Sequence, residues 1–126
     1  MDDKGIKIHE SAENYLETIL VLEQRIARVR SVDIAATLGF SKPSVSVAMK
    51  KLRQTGHIIV DADGFVALTA EGRKIAESML ERHTILSRWL VQLGVDEQVA
   101  TDDACKIEHV VSEQSFQAIK QYIEMQ

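Results

Sequence analysis

The segment that most narrows what this chain can fold into is residues 31–68, where the hydrophobic pattern switches from a helical to an alternating period. "SVDIAATLG" (31–39) reads as a short helix, with Ser31 as its N-cap and Gly39 as its stop. "FSKPSVSVAMKKLRQTG" (40–56) reads as a second helix. Ser41 can cap it, and Pro43 suits its first turn because a missing N–H costs nothing there. Val45, Met49 and Leu52 give it a narrow apolar seam, and Gly56 ends it. Two short helices joined by a turn of about three or four residues make a helix-turn-helix. "HIIVDADGFVALT" follows, with β-prone runs Ile58–Val60 and Phe65–Leu68 around the turn signal Asp63-Gly64. A hairpin placed directly after a helix-turn-helix is a wing.

Charge supports the same segment. Residues 24–60 hold Arg25, Arg28, Arg30, Lys42, Lys50, Lys51 and Arg53 against Asp33 alone, a local +6 in a chain of net charge −4. An acidic chain argues against generic nucleic-acid affinity, but a basic block within it is a local footprint for phosphates. The N-terminal part of a recognition helix meets base edges. Here that part is Ser41, Lys42, Pro43, Ser44, Ser46 and Val47. Hydroxyls can bond phosphates or base edges, and Pro43 and Val47 can touch a thymine methyl. Lys50, Lys51 and Arg53, further along, are placed for phosphates, which hold register and carry little sequence information. For Ser41, helix capping and DNA contact are equally good readings.

The flanking segments are helical. Residues 10–27 predict a helix capped by Ser11, with Tyr15, Leu16, Ile19, Leu20, Leu22 and Ile26 on its apolar face. Residues 69–93 predict a long helix opened by Thr69 and Glu71 and closed at Gly94. Its core face carries Ile75, Met79, Leu86 and Leu90, with Leu80 and Trp89 beside it. Residues 96–111 and 112–125 predict two more, the last capped by Ser112. The expected fold class is mainly α, with a winged helix-turn-helix at 1–70 and a helical domain at 71–126.

A run of about 18 apolar residues, as a membrane span needs, is missing from the sequence, and "MDDKGIKIHESAENYLETIL" lacks the apolar stretch of a signal peptide. The single cysteine suits a reducing compartment. A cytoplasmic location is expected, with no membrane partner. The sequence has no glycine-rich phosphate loop, no "HExxH" and no serine elbow, so an enzyme is not expected.

That cysteine lies in "ACKIEHV" (104–110). On a continuous helix Cys105, Glu108, His109 and Ser112 fall on one stripe, with Ile107, Val110 and Val111 on the other side. A thiolate, a carboxylate and an imidazole so spaced can hold a transition metal, although such a stripe also occurs on ordinary amphipathic helices. His83 in "ERHTIL", and Asn14 and Glu17 three residues apart in "ENYLE", are further candidate ligands.

In "ENYLETILVLE", "DIAATLGFSKPSVSVAMKKL", "GFVALTAEGRKIA", "ERHTILSRWL" and "DDACKIEHVVS", which together span about residues 11–112, the chain resembles the DtxR/MntR family of metal-dependent transcriptional repressors. The resemblance implies a homodimer whose later helices supply the dimer contacts, and a double-stranded DNA operator as partner. It also implies divalent iron or manganese as corepressor, bound between the first helix and the dimerisation helices. The family's ligand positions fall on Asn14, Glu17, His83, Cys105, Glu108 and His109. Manganese-type members carry Asp at position 14 and Glu at position 105. Iron-type members carry Cys at 105 but usually Met at 14. They also have an ancillary site using position 83 with a glutamate at 87 and a histidine at 101, where this chain has Ser87 and Thr101. The sequence is therefore a hybrid. A soft thiolate favours Fe²⁺, with Mn²⁺ second, since manganese prefers harder oxygen ligands. A short form without the family's SH3-like domain is expected. The rival reading is a metal-free winged-helix regulator that senses a small molecule or oxidation of Cys105.

Overall fold

The computed structural model describes residues 3–125, with side chains described for 11–125. The elements run α1 (Asp3–Glu23), β1 (Val29–Arg30), α2 (Ser31–Leu38), α3 (Lys42–Gln54), β2 (Ile58–Val60), β3 (Phe65–Leu68), α4 (Ala70–Gln92), α5 (Glu97–Ile107) and α6 (Glu113–Glu124). The chain forms two compact units, Met1–Glu77 and Ser78–Gln126, and the division falls within α4.

In the first unit, α2 and α3 form the helix-turn-helix and an antiparallel sheet of order β1-β3-β2 forms the wing. The hairpin has the expected bounds, with Ile58 opposite Leu68 and Val60 opposite Val66. Val45, Met49 and Leu52 are buried as the seam required, and Leu16, Ile19, Ile34, Ile58 and Val66 complete the core around them. Gly39 closes α2 in the left-handed region at φ 70°, and its N–H reaches the Ala35 carbonyl. Gly72 is set by contact instead: a Cβ there would collide with the His57 carbonyl oxygen, so only glycine lets α4 start against the wing. Thr69 holds the same junction, its hydroxyl donating to the Gly56 carbonyl at 2.7 Å and accepting from the Gly72 N–H at 3.2 Å.

Three local expectations are corrected in this unit. α1 begins at Asp3, so Ser11 lies inside the helix and does not cap it. α1 ends at Glu23 because the chain beyond it is drawn into β1, which pairs Val29 with Val66 and Arg30 with Phe65. Ile26 consequently sits outside the helix and is exposed. Arg30 takes the cap position expected for Ser31, and its N–H donates to the Asp33 carboxylate at 2.9 Å.

The second unit packs Leu86, Ala104 and Phe116 as its buried centre, with Ile85, Trp89, Ile107, Val111 and Ile119 around them. Asp96 caps α5 by accepting from the Gln98 and Val99 N–H groups, and Ser112 caps α6 by accepting from that of Ser115. α5 was expected to run to Val111 but stops at Ile107, four residues early. Among the described residues no helix is long and apolar enough to cross a membrane.

Candidate DNA-reading face and metal centre

The α3 surface follows from its seam. With Val45, Met49 and Leu52 turned inward, every other candidate on the helix faces out: Ser41, Lys42, Pro43, Ser44, Ser46, Val47, Lys50, Lys51 and Arg53 are all exposed. Val47 stands 69% exposed, an apolar side chain with nothing of its own unit to cover it. Ser41 does cap the helix, its hydroxyl accepting from the Ser44 N–H at 3.3 Å and donating to the Ser44 hydroxyl at 2.8 Å. Pro43 lies in the first turn, where no carbonyl is left waiting for its absent N–H.

The wing adds a basic feature that the candidate list above lacks. Val29 is buried, so Arg28 and Arg30 point to the opposite side of β1. Their guanidinium groups lie 4.7 Å and 4.1 Å from the centroid of the Phe65 ring. The charge count had flagged both arginines, but the ring that holds them comes from a cross-strand pairing.

In the second unit, the early end of α5 falls within the expected stripe. Glu108 and His109 lie in the turn after the helix, not on it. Cys105 stays on α5 and is exposed, His109 is half-buried, and Glu108 is 0% exposed. Glu108 keeps helical dihedrals (φ −55°, ψ −28°), with its N–H on the Ala104 carbonyl, so the expected stripe differs in exposure: Cys105 is open and Glu108 enclosed. The fold brings Glu108 to His83 of α4, with Glu108 Oε1 3.1 Å from His83 Nδ1. The other carboxylate oxygen, Oε2, is buried with no hydrogen-bond partner among the described residues. Asn14 and Glu17 lie in the first unit, both half-buried on α1.

Arg82, next to His83 on α4, is the residue that sequence reasoning missed. It is 8% exposed. Its Nη1 donates to the carbonyls of Glu108 (3.1 Å) and Val111 (2.7 Å), and its Nη2 to Glu113 Oε2 (3.0 Å). The guanidinium lies 5.2 Å from the Phe116 ring centroid. Hydrogen bonds from Gln117 and Arg82 hold the Glu113 carboxyl below its ordinary range.

This donor chemistry fits a divalent metal. A buried carboxylate oxygen without a donor is costly unless something positive meets it. An imidazole stands beside it, and mixed oxygen and nitrogen donors suit first-row divalent ions.

The architecture of the first unit is that of a winged helix-turn-helix DNA-binding protein. Comparison with known families agrees: residues 7–65 match the N-terminal DNA-binding domain of the iron-dependent repressors, and residues 69–125 match their metal-binding and dimerisation domain. The transcriptional regulator MntR of Escherichia coli O157:H7 is 40% identical over 111 residues, covering 88% of this chain and 72% of that protein. The diphtheria toxin repressor of Corynebacterium diphtheriae is 31% identical over 106 residues, covering 83% of this chain and 47% of the repressor. Among solved structures, a manganese-dependent transcriptional repressor in complex with manganese superimposes with a TM-score of 0.83 at 29% identity. It covers 91% of this chain, which spans 53% of that structure's length. The chain belongs to the DtxR/MntR family of metal-dependent transcriptional repressors.

Proposed function

We propose that this chain binds a double-stranded DNA operator as a cytoplasmic homodimer, with a divalent metal as corepressor, in the service of metal homeostasis. The observation that carries the metal reading is the Glu108 carboxyl, wholly buried with one oxygen on His83 and the other without a donor among the described residues. Asn14, Glu17, His83, Cys105, Glu108 and His109 would hold the ion, and residues 71–126 form the metal-binding and dimerisation domain. A bound divalent ion supplies positive charge and a fixed coordination geometry to those donors.

The protein's part is mechanical. α1, which carries Asn14 and Glu17, packs on α2 and β3, and α2 packs on α3. A ligand that holds Asn14 and Glu17 in place therefore also holds the helix on which the helix-turn-helix is built. The shift toward the DNA-competent state equals the metal's differential affinity for the two states, and linkage requires DNA to tighten metal binding by the same factor. For the identity of the ion, Cys105 favours Fe²⁺ through its soft thiolate, while the manganese-named relatives favour Mn²⁺. Fe²⁺ is the first choice here. Neither domain is assigned a catalytic step.

The deciding experiment is anaerobic operator binding across a series of divalent metals. Affinity is expected to rise with Fe²⁺ or Mn²⁺ over chelator, and His109→Ala is expected to abolish the rise. Equal affinity with metal and with chelator would sink the reading. Cys105→Glu is expected to move the preference toward Mn²⁺, and an unchanged preference would show that position 105 is not the selector.

A further inference from the structure

We propose that Arg82 is a positioning residue for the metal centre, a role that rests on the metal reading above. The last carbonyls of an α-helix have no partner within it. If α5 simply frayed at Ile107, the carbonyls of the buried Glu108 and the half-buried Val111 would be left without donors. Arg82 Nη1 serves both. A guanidinium is a rigid planar fork, so two carbonyls three residues apart that share it are fixed relative to one another. The chain must turn between residues 108 and 111 to present both oxygens to one nitrogen.

That turn decides where Glu108 points. Arg82 and His83 are consecutive on α4, and they grip one residue by two handles. Arg82 takes the Glu108 backbone carbonyl at 3.1 Å, and His83 meets its carboxyl at 3.1 Å. The backbone grip sets the origin from which the carboxyl reaches inward, and its remaining oxygen is the buried one that lacks a donor among the described residues. The grip is itself anchored at both ends. Phe116 lies under the guanidinium, and the exposed Glu113 carboxyl neutralises it at the solvent side. A buried arginine is costly without such a partner, so the arrangement is built rather than incidental. Arg82 touches the ligand's main chain and leaves its carboxyl untouched.

The test uses the full-length protein and two variants, Arg82→Lys and Arg82→Gln, with anaerobic calorimetric titration by Fe²⁺ and by Mn²⁺. Residues that orient metal ligands typically contribute about 10–100-fold to metal affinity. Arg82→Gln is expected to lose affinity in that range. Arg82→Lys, which keeps the charge but loses the planar fork, is expected to fall between it and the parent. At saturating metal, both variants are expected to bind operator as the parent does, because the assembled state is unchanged. A merely structural role would lower the melting temperature and leave the metal dissociation constant alone, and that outcome overturns the proposal. If Arg82→Gln does not fold, Arg82→Lys carries the test. Amide hydrogen exchange at residues 108–111 then provides the second readout: faster exchange together with weaker metal binding supports the role, and faster exchange with unchanged binding overturns it. A parent protein that binds no metal would instead overturn the metal reading, and this proposal with it.

Discussion

The outer face of α3 and the turn after α5 are built on opposite rules. Residues 41–53 present their candidate side chains to solvent, and one hydroxyl cap and three buried apolar residues hold the helix beneath them. Residues 108–111 present almost nothing outward of Glu108. Its carboxyl is enclosed, and its carbonyl is held by an arginine from another helix. The difference fits the ligands proposed for each. DNA is a large polyanion that comes to the protein, so a recognition face gains by staying open and charged. A small ion is held best by donors whose orientation packing has already fixed, which is the part that Glu108 would play in the proposed metal site.

The comparison breaks most visibly at Glu108. Glu108→Gln keeps the shape of the side chain but removes its charge, and it is expected to leave metal-free DNA binding as it was while abolishing the metal response. Allosteric couplings of this kind are about 5–150-fold, and the loss should be the whole of that factor. Fluorescence anisotropy of an operator duplex with metal and with chelator measures both arms. A retained metal response would remove Glu108 from the ligand set.

Charge on α3 should behave differently, because it acts in both states. Lys51→Ala with Arg53→Ala is expected to weaken DNA binding with and without metal by similar factors. Each lost phosphate contact should flatten the slope of log affinity against log salt by about 0.9. Preference between operator and a scrambled duplex should change little, since phosphate contacts carry no sequence information directly. An unchanged salt slope would place Lys51 and Arg53 away from the backbone of the DNA.

The two regions also differ in how far the sequence discloses them. The wing is visible to the residue because Asp63-Gly64 and its flanking runs are local signals, and the α3 face is visible because capping and a seam at 45, 49 and 52 depend only on near neighbours. β1 is not visible: two residues make no pattern, and its pairing partner lies 35 or more positions away. The end of α5 is hidden for the same reason. "ACKIEHVV" carries no local stop signal, and the guanidinium that meets the Glu108 and Val111 carbonyls comes from Arg82, more than 20 residues earlier. The candidate ligands in that segment are legible as residue types, but their exposure is not. A stripe drawn on an ideal helix put Cys105 and Glu108 side by side, whereas the fold exposes the first and encloses the second.

Ser41 gives the smallest effect and the sharpest separation of structure from recognition on the open face. Its hydroxyl caps α3, so Ser41→Ala is expected to cost about 0.5–2 kcal/mol of stability. Ser46 is exposed within the helix and has no capping duty, so Ser46→Ala should leave stability within about 0.5 kcal/mol of the parent. Loss of DNA affinity in Ser41→Ala alone is ambiguous, because a frayed helix also reads DNA badly. Ser41→Asp resolves it. Aspartate caps as well as serine, and the positive end of the helix dipole favours it, so the melting temperature should hold. At the DNA surface the same carboxylate would face phosphates, and like charges brought together cost at least about tenfold in affinity. A Ser41→Asp protein that melts like the parent but binds operator tenfold or more weakly places Ser41 at the DNA backbone as well as at the cap. One that binds like the parent leaves it the cap alone, and recognition then falls to Ser44, Ser46 and Val47.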